Sequence, residues 1–254
     1  VKIFDLTGKV AIITGGNGGL GLGIARGLIS AGAAVAIVGR NPEKLKKASK
    51  ELTELGGKVL AVQADVSLED DVNRMVAETV AHFGRVDILV NNAAISYGVK
   101  AEELTLEQWN KFIAIDLTSV FLCCKACHPE FVKAGGGKII NVGSIITKLG
   151  FGKLIHYAAA KGGMDHMTQS LARAWGKDNI QVNALLPGLV DTEMMPCSGP
   201  DRKPIVDYII GKTSAGRHGT PDDFQGIAIL LSSSASDFIT GAIIVEDGGV
   251  SLAM

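Results

Sequence analysis

The sequence predicts an α/β fold: one doubly wound domain over residues 1–254, with a seven-stranded, mostly parallel sheet and helices on both faces. Three observations predict it. Short β-branched runs alternate with amphipathic stretches from end to end. Most of the short runs are apolar throughout, as strands buried on both faces must be. No linker, low-complexity segment or internal repeat divides the chain.

Strands are expected at residues 10–14, 34–38, 59–63, 88–91, 138–142, 181–186 and 242–245. Helices are expected at 20–30, 42–55, 68–83, 106–133, 156–175 and 221–232. The first strand runs into a glycine string that allows a turn into the first helix, and Gly32 falls where that helix should stop. Asn41-Pro42 puts proline at the first position of the second helix, which Gly56 ends. Ser67 and Asp70 have the spacing of a capping box for the third helix, and Gly84 lies at its stop. Thr105 and Gln108 repeat that spacing before the long fourth helix, and Thr220-Pro221-Asp222-Asp223 starts the last one. Residues 191–219 break the alternation. They are rich in Met, Pro, Gly and charge, with one weak helix at 203–210, and such a segment after a strand is expected to be a substrate lid.

Composition narrows the function. Hydrophobic residues make up 47% and charged residues 20%, enough apolar content for a sizeable core. A net charge of −1 supplies no basic field for nucleic acid or membrane, and Lys44-Leu45-Lys46-Lys47 sits beside acids as a solvated helix face. No apolar run approaches the ~20 residues that cross a bilayer, and the N-terminus lacks the pattern of a signal peptide. Cys124 and Cys127 have C-x-x-C spacing without a second ligand pair, in an apolar stretch; with Cys123 they are expected as buried reduced thiols. The five histidines show no metal-ligand spacing. The expectation is a cytoplasmic protein with no metal, no nucleic-acid partner and no membrane association.

Two groups of residues carry chemistry. Gly15-Gly16-Asn17-Gly18-Gly19-Leu20-Gly21-Leu22-Gly23 follows the first strand and opens the first helix. It fits both G-x-G-x-x-G and T-G-x-x-x-G-x-G, in the order a dinucleotide loop requires: glycines let the backbone approach a pyrophosphate, and the helix N-terminus faces it. The second strand ends Gly39-Arg40-Asn41, with no acid to bind a ribose 2′-hydroxyl. Gly39 leaves room and Arg40 can pair with a 2′-phosphate, so NADP(H) is favoured over NAD(H). At the other end of the chain, Tyr157 and Lys161 share a helix face, and Ser144 lies thirteen residues before Tyr157. An ammonium beside a phenol favours phenolate, so Lys161 is expected to lower the Tyr157 pKa and make it a usable acid/base.

With these residues in place, the chain resembles the short-chain dehydrogenase/reductase family along essentially its whole length, and the fold expected is that family's Rossmann type. Thr14-Gly15, Gly19 and Gly21 match its cofactor loop; Asp65-Val66 resembles the pair at the adenine ring; Asn91-Asn92-Ala93-Ala94 resembles its N-N-A-G element; and Ser144, Tyr157 and Lys161 match its catalytic residues. Pro187-Gly188-Leu189-Val190-Asp191-Thr192 resembles the segment in which Val190 and Thr192 would hold the nicotinamide amide. Ile239-Thr240-Gly241 and Asp247-Gly248-Gly249 resemble the last-strand signature. The resemblance implies reversible hydride transfer between a nicotinamide and a secondary alcohol or ketone. Ser144 and Tyr157 would bind the reacting oxygen, Tyr157 would move the proton, and Lys161 would bind ribose hydroxyls. It also implies a homotetramer built on helices 106–133 and 156–175 and on the C-terminal strand, with residues 250–254 as a buried tail.

One position departs from the family. Asp116 stands where a kinked helix usually carries Asn, whose main-chain carbonyl holds a water leading to the lysine. Asp116 keeps that carbonyl but adds a carboxylate that would favour the Lys161 ammonium and could itself titrate. An active enzyme with a shifted pH profile is expected. Within the family, the Asn17 loop, Gly39-Arg40-Asn41 and Leu117-Thr118-Ser119 look most like sugar-acid dehydrogenases such as gluconate 5-dehydrogenase. Lys148, Lys153, His156, Arg202 and Lys203 are the cations that could suit a carboxylate. Met194, Met195 and Ile205 suit a more apolar ketone, as in a 3-oxoacyl-carrier-protein reductase or a broad carbonyl reductase. A non-catalytic NADP-binding regulator is the alternative from another class.

Overall fold

A computed structural model describes residues 1–253. Strands β1 (Val10–Thr14), β2 (Ala34–Gly39), β3 (Val59–Gln63), β4 (Ile88–Asn91), β5 (Gly137–Val142), β6 (Ile180–Pro187) and β7 (Ile243–Glu246) form one parallel sheet. Its order is β3-β2-β1-β4-β5-β6-β7. The inner strands are buried on both faces, mostly with apolar side chains, although β4, β5 and β6 also bury Asn91, Lys138, Asn141, Gln181 and Asn183. The edges depart from that expectation. β3 and β7 each have one neighbour and leave side chains such as Val245 exposed.

Helices cover both faces. On one side, α1 (Gly19–Ser30), α2 (Pro42–Glu54) and α9 (Gln225–Ser232) bury Ile24, Leu28, Leu45, Leu52, Ala228 and Leu231 against Ile13, Ile37 and Val90. On the other, α3 (Glu69–Phe83), α5 (Ser119–Ala134) and α7 (Ile155–Trp175) bury Val72, Met75, Cys123, Phe131 and Met164 against Ile12, Leu89 and Val182. Asn41 caps α2 by accepting from the Lys44 amide at 3.0 Å. Thr105 and Gln108 close the expected capping box on α4 (Leu106–Ile113), as do Thr220 and Asp223 on the short turn Pro221–Phe224 before α9. The box expected at Ser67 and Asp70 does not form. Asp65 takes both the Ser67 amide and hydroxyl, at 3.0 and 2.7 Å, so Leu68 caps α3 without a side-chain bond.

The long fourth helix is α4 and α5 joined by one wide π turn, Ala114–Thr118. At 29 residues, Leu106–Ala134 is by length and composition alone long and apolar enough to match a membrane-spanning helix, although charged residues from Glu107 to Lys133 interrupt it. It packs as a core helix: Phe112, Val120, Cys123, Cys124, Cys127 and Phe131 are buried in the domain. The three cysteines are free, and burial pushes the Cys124 thiol up to about 12. The segment after β6 carries α8 (Lys203–Lys212), two residues longer than expected, and its ends are pinned together. Asp191 N–H donates to the Gly219 carbonyl at 3.0 Å and Gly219 N–H to the Leu189 carbonyl at 2.8 Å. The C-terminal tail is only partly buried, because Val250 is enclosed while Leu252 is exposed; Met254 lies outside the described residues. The sequence pattern missed one short helix, α6 (Ile146–Leu149).

Candidate active site

The strand order reverses between β1 and β4, and at their C-terminal ends a cleft of about 1340 Å³ opens. This is where open parallel sheets bind ligands. Thr14 and Asn92 stitch the switch point. The Thr14 hydroxyl accepts from the amides of Asn92 and Ala93, both at 3.0 Å, and the Asn92 amide group donates to the carbonyls of Thr14 at 3.0 Å and Gly15 at 3.3 Å. Below it, Asn91 donates to Asn141, and Asn141 to Thr168, each at 2.9 Å, a buried polar ladder joining β4, β5 and α7.

At one end the glycine loop lines the cleft through Gly15, Asn17, Gly18, Gly19 and Leu20. Gly15 has φ +65°, and a Cβ there would lie 2.8 Å from the Asn92 side chain. Gly21 does not face the cleft. A Cβ on it would lie 2.5 Å from both the Gly15 carbonyl oxygen and Asn92, so this glycine lets α1 pack against the loop. Gly39 makes room for Asn17 rather than only for a ligand: its Cβ would fall 2.6 Å from the Asn17 side-chain nitrogen. Arg40, Asn41, Asp65 and Val66 border the same end. Arg40 lies 3.6 Å from Asp65. Burial raises the Asp65 carboxyl, but hydrogen bonds from Ser67 and the Arg40 charge more than offset it, leaving the group below the ordinary carboxylate value.

At the other end, Ser144 follows β5, and α7 presents Tyr157 and Lys161; all three line the cleft. Lys161 is 1% exposed and donates to the Val142 carbonyl at 2.8 Å, with its ammonium 5.7 Å from the centre of the Tyr157 ring. Burial lowers the Lys161 pKa against the opposing pull of Asp116 and Asp165. The expectation that Lys161 depresses the Tyr157 pKa is not met in this structure. Burial, then the Asp116 carboxylate, raise the phenol above its usual value, and the Ser144 hydroxyl alone opposes them. Burial is the larger cause; the carboxylate behind the pair adds to it, and the ammonium expected to oppose it donates to a main-chain carbonyl.

Asp116 lies in the π turn, fully buried and behind the cleft wall, which Ile115 supplies instead. Its Oδ1 accepts from the Ile95 amide at 2.8 Å, and its Oδ2 has no partner. Burial pushes its carboxyl up to about 6, against Lys161 and the Ile95 amide. Pro187, Gly188, Val190 and Thr192 border the cleft after β6. Thr192 abuts the glycine loop, since a Cβ on Gly19 would lie 3.4 Å from its side chain.

Two contacts at the site have no sequence signal. His156 is fully buried, its ring centre 3.9 Å from that of Phe112 at a tilt of 51°, and its Nε2 meets the Tyr97 carbonyl at 3.1 Å, anchoring a loop that lines the cleft. Lys44 on α2 donates to Glu193, at the start of the lid segment, at 2.6 Å. Of the five candidate cations, Lys153 and Arg202 line the cleft. His156 lies behind its wall, Lys203 pairs with Asp207 at 2.7 Å, and Lys148 is not on the lining.

A nicotinamide dinucleotide fits these residues. The glycine loop leaves open space above Gly18, α1 begins there, Arg40 offers a cation for a 2′-phosphate, and the cleft continues to Tyr157. A family model described as short chain dehydrogenase matches residues 9–203. A 2-dehydro-3-deoxy-D-gluconate 5-dehydrogenase of Formosa agariphila is 38% identical over 251 residues, covering 98% of this chain and 95% of that one. A 3-oxoacyl-acyl-carrier-protein reductase of Chlamydia pneumoniae is 37% identical, covering 96% and 98%. Among solved structures, a gluconate 5-dehydrogenase of Burkholderia cenocepacia in complex with NADP and tartrate superimposes with a TM-score of 0.93 at 34% identity, covering 100% of this chain and 99% of that one.

Proposed function

The chain belongs to the short-chain dehydrogenase family and is an oxidoreductase acting on CH–OH groups, and on that premise we propose that it interconverts a secondary alcohol and a ketone with NADP(H), on a sugar acid or related polyol. One observation carries the reading: a single cleft joins the glycine loop and Arg40 to Ser144, Tyr157 and Lys161. The bound cofactor supplies or accepts the hydride. Gly15, Asn17, Gly18, Gly19 and Leu20 hold its pyrophosphate; Arg40 and Asn41 its 2′-phosphate; Asp65 and Val66 its adenine. Asn92, Ala93, Pro187, Gly188, Val190 and Thr192 line the path to its nicotinamide.

In reduction, Ser144 and Tyr157 hydrogen-bond the substrate carbonyl oxygen, and Tyr157 donates the proton. Lys161 orients the ribose end and holds positive charge beside the phenolate that forms. Asp116 keeps that charge on Lys161, and its main-chain carbonyl in the widened turn would hold a water through which the replacement proton reaches Lys161. Residues 191–219 act as the lid. The sugar-acid reading draws support from the gluconate-type dehydrogenases the chain resembles and from the tartrate, a hydroxy acid, in the Burkholderia neighbour.

The second reading, a 3-oxoacyl-carrier-protein reductase, has one observation in its favour: Met194, Met195, Ile205 and Ile209 put apolar surface on the cleft. Oligomerisation as a homotetramer fits the exposed Phe121 and Val132 on α5. Following NADPH absorbance over sugar acids, polyols and 3-oxoacyl thioesters tests the assignment. Fastest turnover of a sugar acid is expected. Preference for a 3-oxoacyl thioester would select the second reading, and tight NADPH binding without turnover of any would make the protein a regulator.

A further inference from the structure

We propose that Lys153 and Arg202 form a clamp for the carboxylate of the substrate, so that the reaction's specificity for an acid over a neutral polyol is set by these two side chains. The proposal rests on the sugar-acid reading above and deepens it.

Charge around the cleft is divided unevenly. Its described lining contains five cations, Arg40, Lys44, Lys153, Lys161 and Arg202, and two acids, Asp65 and Glu193. Both acids are taken by the adenosine end: Asp65 lies 3.6 Å from Arg40 and Glu193 2.6 Å from Lys44. Lys161 is buried and donates to the Val142 carbonyl. Lys153 and Arg202 remain, and among the described residues neither has a carboxylate partner. The Arg202 guanidinium donates to the Met195 sulfur at 3.6 Å, its one side-chain hydrogen bond among the described residues.

Their placement follows from local structure. Lys153 lies four residues before Tyr157, and its main-chain carbonyl accepts from the Val99 amide at 2.8 Å. The stem of its side chain rests beside Gly98, where a Cβ would lie 3.4 Å from the Lys153 Cβ. The main chain and stem of Lys153 are thus held against the loop that carries Ser96, Tyr97 and Gly98 along the cleft. Arg202 precedes α8, and Ile205 and Ile209, three and seven residues on, also line the cleft. The spacing i, i+3, i+7 is one helix face, so Arg202 shares the face that α8 turns to the cleft.

Two cations without a carboxylate partner on the lining of one concave site give it a positive field that favours an anion. Guanidinium offers a planar fork that matches a carboxylate in bidentate fashion, while the lysine supplies a point charge. The ligand chemistry assigned is a polyhydroxy carboxylate, bound by its carboxylate at the Lys153/Arg202 end while a hydroxyl-bearing carbon meets Ser144 and Tyr157. Lys203 is excluded because Asp207 already neutralises it.

The test compares D-gluconate with its uncharged amide, D-gluconamide, as substrates with NADP⁺. The quantity read is the ratio of their kcat/KM values in the wild type, Lys153→Gln, Arg202→Gln, the double variant and a Lys203→Gln control. A ratio cancels any loss of folded enzyme. The wild type should favour gluconate, each single variant should lower the ratio about tenfold through loss of a charge-assisted bond, and the double variant should bring it near unity. Lys203→Gln should leave it unchanged. If the wild type favours gluconate and the ratio survives in the double variant, the clamp is wrong and the sugar-acid reading stands. If the wild type turns over both compounds equally, the clamp falls and the substrate is read as a polyol; if it turns over neither, the clamp and the sugar-acid reading fall together.

Discussion

The end of the cleft proposed to hold adenosine and the end proposed to be catalytic are built on opposite principles. At the adenosine end every charge has a partner: Arg40 faces Asp65, Lys44 faces Glu193, and Asp65 also takes two bonds from Ser67. Glycines bring the backbone close, and Thr14 and Asn92 saturate the strand ends. At the catalytic end charges are left unbalanced. Lys161 is buried against a carbonyl, Asp116 keeps an oxygen without a partner, and Tyr157 is pushed toward its protonated form. The first arrangement suits a ligand that never changes. The second keeps the phenol protonated, as a proton donor must be, and brings the Asp116 carboxyl near the point of titration.

Breaking the catalytic end should give the largest effects. Lys161→Met or Ser144→Ala should lower kcat by roughly 10²–10⁴-fold, the usual contribution of a positioned acid/base set, measured by steady-state NADPH oxidation. At the adenosine end, Gly21→Val would drive a side chain into the Gly15 carbonyl and Asn92, and NADPH affinity by fluorescence titration should fall more than about tenfold while the sheet persists. Arg40→Asp should move the NADP/NAD preference toward NAD by about tenfold or more, read as a ratio of kcat/KM values.

Asp116→Asn sharpens the comparison through pH. Burial raises the Asp116 carboxyl from the ordinary 3.8 to about 6, so the folded protein binds a proton that the unfolded chain has already released. Stability from this group is therefore present below the unfolded value and is lost as pH rises through about 6; the difference in unfolding free energy between wild type and variant should drift by at most about 3 kcal/mol across that window. In activity, the wild-type pH profile should show an inflection near 6 that the variant lacks. The alkaline limb of the variant should move to lower pH, because the Asp116 charge raises both Lys161 and Tyr157. The smallest effect belongs to Glu193→Gln. It frees Lys44 from an exposed ion pair, and NADPH should bind tighter by no more than about threefold.

The same contrast explains what could be read in advance. The glycine loop, Arg40, Ser144, Tyr157 and Lys161 were legible because loop, strand end and helix face each leave a short-range pattern. The bonds that set the catalytic end were not. Ile95 to Asp116, Tyr97 to His156 and Lys161 to Val142 join residues far apart in sequence, and two of the three end on a main-chain carbonyl, which any residue carries. The direction of the Tyr157 shift is not legible either: helix spacing puts Lys161 on its face, but only the fold encloses the phenol and sets the Asp116 carboxylate behind it. The lid was visible as a break in periodicity, while the Asp191–Gly219 and Leu189–Gly219 bonds that pin its ends were not.

The central claim is that Tyr157 moves the proton in a cleft that binds NADP(H) independently of it. The direct measurement is Tyr157→Phe, with NADPH affinity by fluorescence titration beside turnover of D-gluconate with NADP⁺. Affinity within about threefold of the wild type and turnover reduced at least about 10²-fold are expected. Turnover close to the wild type in a variant that still binds NADPH would contradict the account.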